Sequence, residues 1–236
     1  MRPATTFRAA TTIAATLFAA ALVVTACSDT TSGPSGTAAA SGVGVLSGSA
    51  QFAPISTSLP APLIVRVTDQ YGASFPGATV TFTATGGATV GTASAVTDVN
   101  GQAQTTVMFS TQAGVDSVIA AVAGVTTPAV FIENAQAGPV TSFAILQGNG
   151  QTGTTGTVLP ITLAVQAKDT LGNPVVGDSV TFTSATGTLG IMGTATVVTD
   201  VTGTAQVPFT PALGANSITA ALQNTALTLT FSETGN

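Results

Sequence analysis

The stretch Leu63–Ala84, LIVRVTDQYGASFPGATVTFTA, returns 100 residues later as Leu163–Ser184, LAVQAKDTLGNPVVGDSVTFTS, without a gap. Within it Leu63, Val65 and Val67 alternate with Ile64, Arg66 and Thr68, and Val80 and Phe82 alternate with Thr79, Thr81 and Thr83. The second copy keeps the phase through Leu163, Val165, Ala167, Val180 and Phe182. A period of two buries one face and wets the other, which is the pattern of strands. A repeat of this length with its own apolar set predicts two copies of one β-domain. More pairs share the offset: Gly48 with Gly148, Gln51 with Gln151, Pro60 with Pro160, Phe109 with Phe209, Phe131 with Phe231. The register slips once, since Thr97-Asp98 corresponds to Thr199-Asp200.

Seven strands are expected per copy. In the first they fall at about 43–47, 62–68, 78–84, 93–97, 103–109, 115–122 and 127–132. In the second they fall at about 140–146, 161–168, 178–184, 194–199, 204–209, 215–222 and 226–231. Short strands separated by turn residues predict two-sheet sandwiches. The domains are placed at 43–136 and 137–236, with a short junction at 134–139.

The pattern L-x-V-x-V-x-D-x-x-G, then G-x-x-V-T-F, then T-D-x-x-G-x-A resembles the bacterial Ig-like domain of group 1, the repeat of invasin- and intimin-type surface proteins. Its residues here are Asp69, Gly72, Gly77, Val80, Thr81, Phe82, Thr97, Asp98, Gly101 and Ala103. In the second copy they are Asp169, Gly172, Gly177, Val180, Thr181, Phe182, Thr199, Asp200, Gly203 and Ala205. The resemblance implies an all-β chain of two tandem Ig-like β-sandwiches of about seven strands each. It also implies a role at the cell surface. The paired cysteines and buried tryptophan of antibody domains are missing, and Phe82, Phe109, Phe131, Phe182, Phe209 and Phe231 are expected to fill the cores.

Residues 1–26 read as an export signal: Arg2 and Arg8 precede an Ala-rich apolar run, Ala9–Val24. Leu22-Val23-Val24-Thr25-Ala26-Cys27 resembles a bacterial lipobox, which implies cleavage before Cys27 and lipidation of its thiol. Cys27 is the single cysteine, so no internal disulfide braces either sandwich. The apolar run is short for a span of ~20 residues. Residues 28–42, rich in Ser, Thr, Gly and Ala, read as a flexible tether reaching about 20 Å.

Charged residues make up 6% of the chain, so hydroxyl groups must carry much of the surface polarity. Beyond the leader, two cations, Arg66 and Lys168, stand against nine acids. An acidic chain without a basic patch argues against nucleic acid as a partner.

No histidine exists to act as a base, and no serine sits in a G-x-S-x-G turn, so no catalytic residues are assigned. Asp69, Asp98, Asp169 and Asp200 each open an Asp-x-x-Gly turn. A role occurring once per copy at each of two places is structural, with the carboxylate accepting backbone N–H groups. Calcium would require six to eight oxygens from closely spaced acids, so neither a metal nor a cofactor is assigned. Tyr71, at a turn tip, is the one tyrosine and there is no tryptophan, which disfavours an aromatic sugar platform.

The sequence thus predicts a non-enzymatic, lipid-anchored envelope protein acting in adhesion, as a spacer or in envelope interaction, held to a membrane by its N-terminal lipid. The alternative is an accessory subunit binding an extracellular polysaccharide or a secreted enzyme. A protein or glycan ligand would meet the pole of the second domain formed by 148–158, 185–193 and 210–214. There Leu189, Ile191 and Met192 are either a cap on the core or an exposed contact patch.

Overall fold

The structure, a computed structural model, describes residues 36–236. Its strands fall into two sets with the same plan. The first set is β1 (Ala40–Ser47), β2 (Phe52–Pro54), β3 (Leu63–Asp69), β4 (Thr79–Ala84), β5 (Thr89–Val90), β6 (Ser94–Val96), β7 (Gln102–Thr105), β8 (Val107–Met108), β9 (Gly114–Val122) and β10 (Ala129–Gln136). The second is β11 (Ser142–Gln147), β12 (Thr152–Gly153), β13 (Leu163–Lys168), β14 (Ser179–Ser184), β15 (Thr188–Leu189), β16 (Thr194–Val198), β17 (Thr204–Val207), β18 (Phe209–Thr210), β19 (Gly214–Leu222) and β20 (Thr228–Gly235).

In sandwich one a three-stranded sheet, β1-β3-β7, faces a five-stranded sheet, β2-β10-β9-β4-β6, and β5 pairs with β8. Sandwich two repeats this as β11-β13-β17, β12-β20-β19-β14-β16 and β15-β18. The period-two pattern explains the layering. Leu63, Val65 and Val67 of β3 meet Val80 and Phe82 of β4, Val118 and Ala120 of β9 and Phe131 of β10 in one buried cluster. Leu163, Val165, Val180, Phe182, Ile218 and Phe231 form its counterpart. Phe182 and Phe231 lie tilted against each other, with ring centroids 6.3 Å apart, a favoured aromatic arrangement.

Two local devices account for repeated residues whose purpose the alternation leaves open. Between β1 and β2 the chain crosses from the small sheet to the large one. Gly48 (φ 94°) lies so close to the Pro62 carbonyl that a Cβ would stand 2.3 Å from it, and Gly148 meets Thr162 in the same way. The Gln51 amide then clamps the crossing: it donates to Gly48 O (2.6 Å) and Ala61 O (3.0 Å) and accepts from Ala61 N–H (2.8 Å). Gln151 repeats all three bonds with Gly148 and Ile161. At the other end Thr97 Oγ1 donates to Phe75 O and accepts from Ala78 N–H, and Thr199 does the same with Val175 and Asp178.

The structure differs from the expected strands in four ways. β1 begins at Ala40, inside the stretch read as tether, because Ala40 and Gly42 still pair with Asp69 and Thr68. The stretch expected as one strand at 103–109 is two, β7 and β8, which turn from the small sheet to the β5 pair. The last strands run on to Gln136 and Gly235, past the expected 132 and 231. Finally β2 and β12 lie parallel to β10 and β20, as in Phe52 opposite Asn134 and Thr152 opposite Thr234. Two or three residues give too short an alternation to read.

Candidate functional site: turn aspartates, buried carboxylates and the loop pole

All four turn aspartates accept backbone hydrogen bonds in one geometry. Asp69 Oδ1 receives the N–H groups of Tyr71 and Ala73, and Asp98 Oδ1 those of Asn100 and Gln102. Asp169 Oδ1 receives Leu171 and Asn173, and Asp200 Oδ1 receives Thr202 and Thr204. Each turn closes on a glycine of positive φ: Gly72, Gly101, Gly172 and Gly203. One oxygen of each carboxylate is thus committed to the backbone. Among the described residues no three His, Cys, Asp or Glu side chains gather where they would hold a metal ion. Tyr71 is half exposed at its turn.

Asp169 has a second task. Its Oδ2 accepts the Gly138 N–H (3.0 Å) and the Asn173 Nδ2–H (2.9 Å). Asn173 also reaches into sandwich one, donating to Thr111 O (2.9 Å) and accepting the Ala113 N–H (3.0 Å). Burial pushes the Asp169 carboxyl upward, but the Asn173 side chain and the N–H groups of Asn173, Gly138 and Leu171 outweigh it and hold it below its ordinary value. This knot links the two sandwiches. Beside it an open groove is lined by Phe52, Val115, Asn134, Pro174, Val176 and Val201, among others.

Two further acids went unassigned in the sequence. Glu133 and Glu233 are fully or almost fully buried at equivalent places on β10 and β20. Gln51 N–H donates to Glu133 Oε2 (2.7 Å), and Gln151 N–H to Glu233 Oε2 (2.6 Å). Glu233 Oε1 also accepts from Gly150 N–H (3.2 Å), whereas Glu133 Oε1 has no partner. The cross-strand neighbour differs too. Glu133 faces Asp116, and Glu233 faces Asn216. The Asn216 amide is satisfied by Ala212 and Gly214. Asp116 is a second buried carboxyl, and burial raises both it and Glu133 above their ordinary values. Strand phase was the available signal: Glu133 is two residues beyond the inward Phe131, and Glu233 two beyond Phe231.

The three apolar residues of the 185–193 loop separate. Leu189 is buried, pairs with Phe209 and caps the core of sandwich two, so it forms no part of an exposed patch. Ile191 (96% exposed) and Met192 (67%) stand in solvent. The neighbouring loops do adjoin, since Gly156 N–H donates to Pro211 O (3.0 Å). Part of 148–158 is strand β12 rather than loop. Cys27 and residues 1–26, which the sequence suggests are an export signal, lie outside the described residues.

Residues 58–132 match the family model of the bacterial Ig-like domain, group 1. No curated protein matches the chain. Among solved structures, Yersinia pseudotuberculosis InvD superimposes with a TM-score of 0.62 at 17% identity, over 82% of this chain and 56% of that one. The likeness establishes the fold, and this chain spans about half of that structure. The D0-D1 domain of intimin is also similar, at 21% identity and a TM-score of 0.33, covering 83% of this chain and 98% of that one. So is the Escherichia coli adhesin FdeC, at 19% identity and a TM-score of 0.42, over 85% and 66%.

Proposed function

We propose that this is an exported, non-enzymatic surface protein, lipid-anchored at Cys27, whose two Ig-like sandwiches form a short stalk that acts in adhesion or as a spacer. The observation that supports the stalk best is the Asp169–Asn173 knot, because its hydrogen bonds link the two sandwiches directly. The match of 58–132 to a bacterial Ig-like family supports the surface setting. Three acyl chains on Cys27, at about 0.8 kcal/mol per buried CH₂, would hold the chain on a membrane without a spanning helix. Sandwich two then stands farther from the membrane than sandwich one and offers Ile191 and Met192 to a protein partner.

Mass spectrometry of the mature protein tests the anchor. The expected N-terminus is a lipidated Cys27, and Cys27→Ser leaves the precursor uncut. A mature terminus elsewhere with a free thiol overturns it. For the contact, Ile191→Ser with Met192→Ser should lower adhesion of expressing cells while leaving the melting temperature unchanged. Unchanged adhesion removes these two residues from the partner surface.

A further inference from the structure

The outer face of the five-stranded sheet differs sharply between two copies of one fold. In sandwich one it carries Phe52, Val115, Ile119, Val130 and Ile132. The equivalent positions of sandwich two, fixed by identical strand registers, are Thr152, Ala215, Thr219, Thr230 and Ser232. Phe52 (60%) and Val115 (64%) are largely exposed, Val130 and Ile132 are each 45% exposed, and Ile119 is partly exposed. Sandwich two forms the same sheet with hydroxyls, so Ile119, Val130 and Ile132 are not required by the fold; Phe52 and Val115 also border the groove beside the joint. The five expose on the order of 400 Å², within the range of patches that usually have a use. Ile132 and Val130 follow each other on the outer face of β10 with Ile119 opposite Val130, and in the next outward row Phe52 and Val115 flank Asn134 across β2-β10-β9.

The charge pattern points to the occupant. No outward residue of β2, β4, β6, β9 or β10 is charged; around the apolar five stand Thr79, Thr81, Thr83, Ser94, Ser117 and their neutral neighbours. The chain is otherwise acidic, so a second copy would be repelled at most approaches. On this face two copies meet without burying or opposing any charge. A basic or acidic partner would find no counter-charge here, whereas a neutral, half-apolar sheet face is complementary to itself. We propose that two copies of this chain associate face to face through the outer surface of β9 and β10 about a two-fold axis near Ile132. An isologous contact of this kind places each residue near its own counterpart around the axis. The apolar area is about half of the ~800 Å² per partner in a standard complex, so the rest of the footprint is the threonine and serine surround, and the pair is weak and reversible. This goes beyond the reading as a surface module and does not rest on it.

Crosslinking the full chain in intact cells tests the pairing. Ile132→Cys is treated with a membrane-permeant bis-maleimide spanning roughly 10 Å, the distance between sheets packed face to face. The expected result is a dimer band absent from the unsubstituted chain, which reports any reaction of Cys27 alone. Ser232→Cys, the same position in sandwich two, should give no such band. Adding Phe52→Thr, Val115→Ala and Val130→Thr to Ile132→Cys, the residues sandwich two already tolerates, should reduce the band at least tenfold with the melting temperature retained. No dimer from Ile132→Cys, an equal dimer from Ser232→Cys, a band that survives the three added changes, or a crosslink to a different protein would each overturn the proposal.

Discussion

Thr81 and Phe82 are neighbours on β4, with Thr81 exposed and Phe82 buried between the sheets. Phe82→Ala or Phe182→Ala should therefore cost about 3–5 kcal/mol in chemical denaturation, as truncations of a packed core. Thr81→Ala should cost no more than about 1 kcal/mol, and equal losses would contradict the assigned phase. The buried acids give a second test at this scale. Asp116 and Glu133 have folded values raised from the ordinary 3.8 and 4.5 by burial. The folded state thus binds protons more tightly than the unfolded one. The stability this supplies is complete below the ordinary values and is lost as pH rises through the raised ones. Asp169 and Asp200 are shifted the opposite way and lose stability only as pH falls below 3.8. As pH falls from neutrality toward the ordinary values, both sandwiches should melt higher, since burial raises Glu233 as well, and Asp116→Asn, the residue type of Asn216, should flatten the slope of sandwich one. A melting profile with the same slope in both proteins would refute the role of Asp116. Phase placed the phenylalanines from sequence alone. The two glutamates were missed because the last strands were read as ending at 132 and 231, one or two residues short of them.

At the level of the elements, the paired glycines of the turns are not equivalent. Gly72 has φ 79°, and a Cβ there would meet nothing within 4 Å. Gly101 has φ 72°, and a Cβ would stand 2.5 Å from the Val67 carbonyl, as Gly203 does against Ala167. Both pay for a left-handed conformation if replaced, but only Gly101 and Gly203 also force the turn off β3 or β13. Gly101→Ala should therefore lower stability by at least about 1 kcal/mol more than Gly72→Ala. Denaturant titration of the two variants decides it, and similar losses would show that the close approach relaxes freely. The turns were legible because Asp-x-x-Gly carries its own hydrogen-bonding logic. The strands β2, β5 and β8 were not, since pairing over two or three residues is decided by the crossing at Gly48 and Gln51 and by the neighbouring edge.

Across the whole molecule, the informative residues are those at which the two copies disagree. Alternation sees what the copies share, so it yields the sandwiches and leaves their joint unread. Asn173 is such a residue, because its counterpart in sandwich one is Ala73. It spends its amide on Thr111 and Ala113 of the other sandwich and on Asp169 of its own. The Asp169 turn itself keeps its Oδ1 bonds to Leu171 and Asn173 through backbone N–H groups, which a side-chain change leaves in place. Asn173→Ala should accordingly leave each sandwich within about 1 kcal/mol of its original stability. What it should alter is the joint, where only the contact of Asp169 with Gly138 N–H remains of the bonds described. Double electron–electron resonance between spin labels placed on β4 and β14 would report this as a broader distance distribution in the variant. An unchanged distribution would mean that apolar contacts around Pro174 and Val175 hold the sandwiches in line, with Asn173 merely satisfied there.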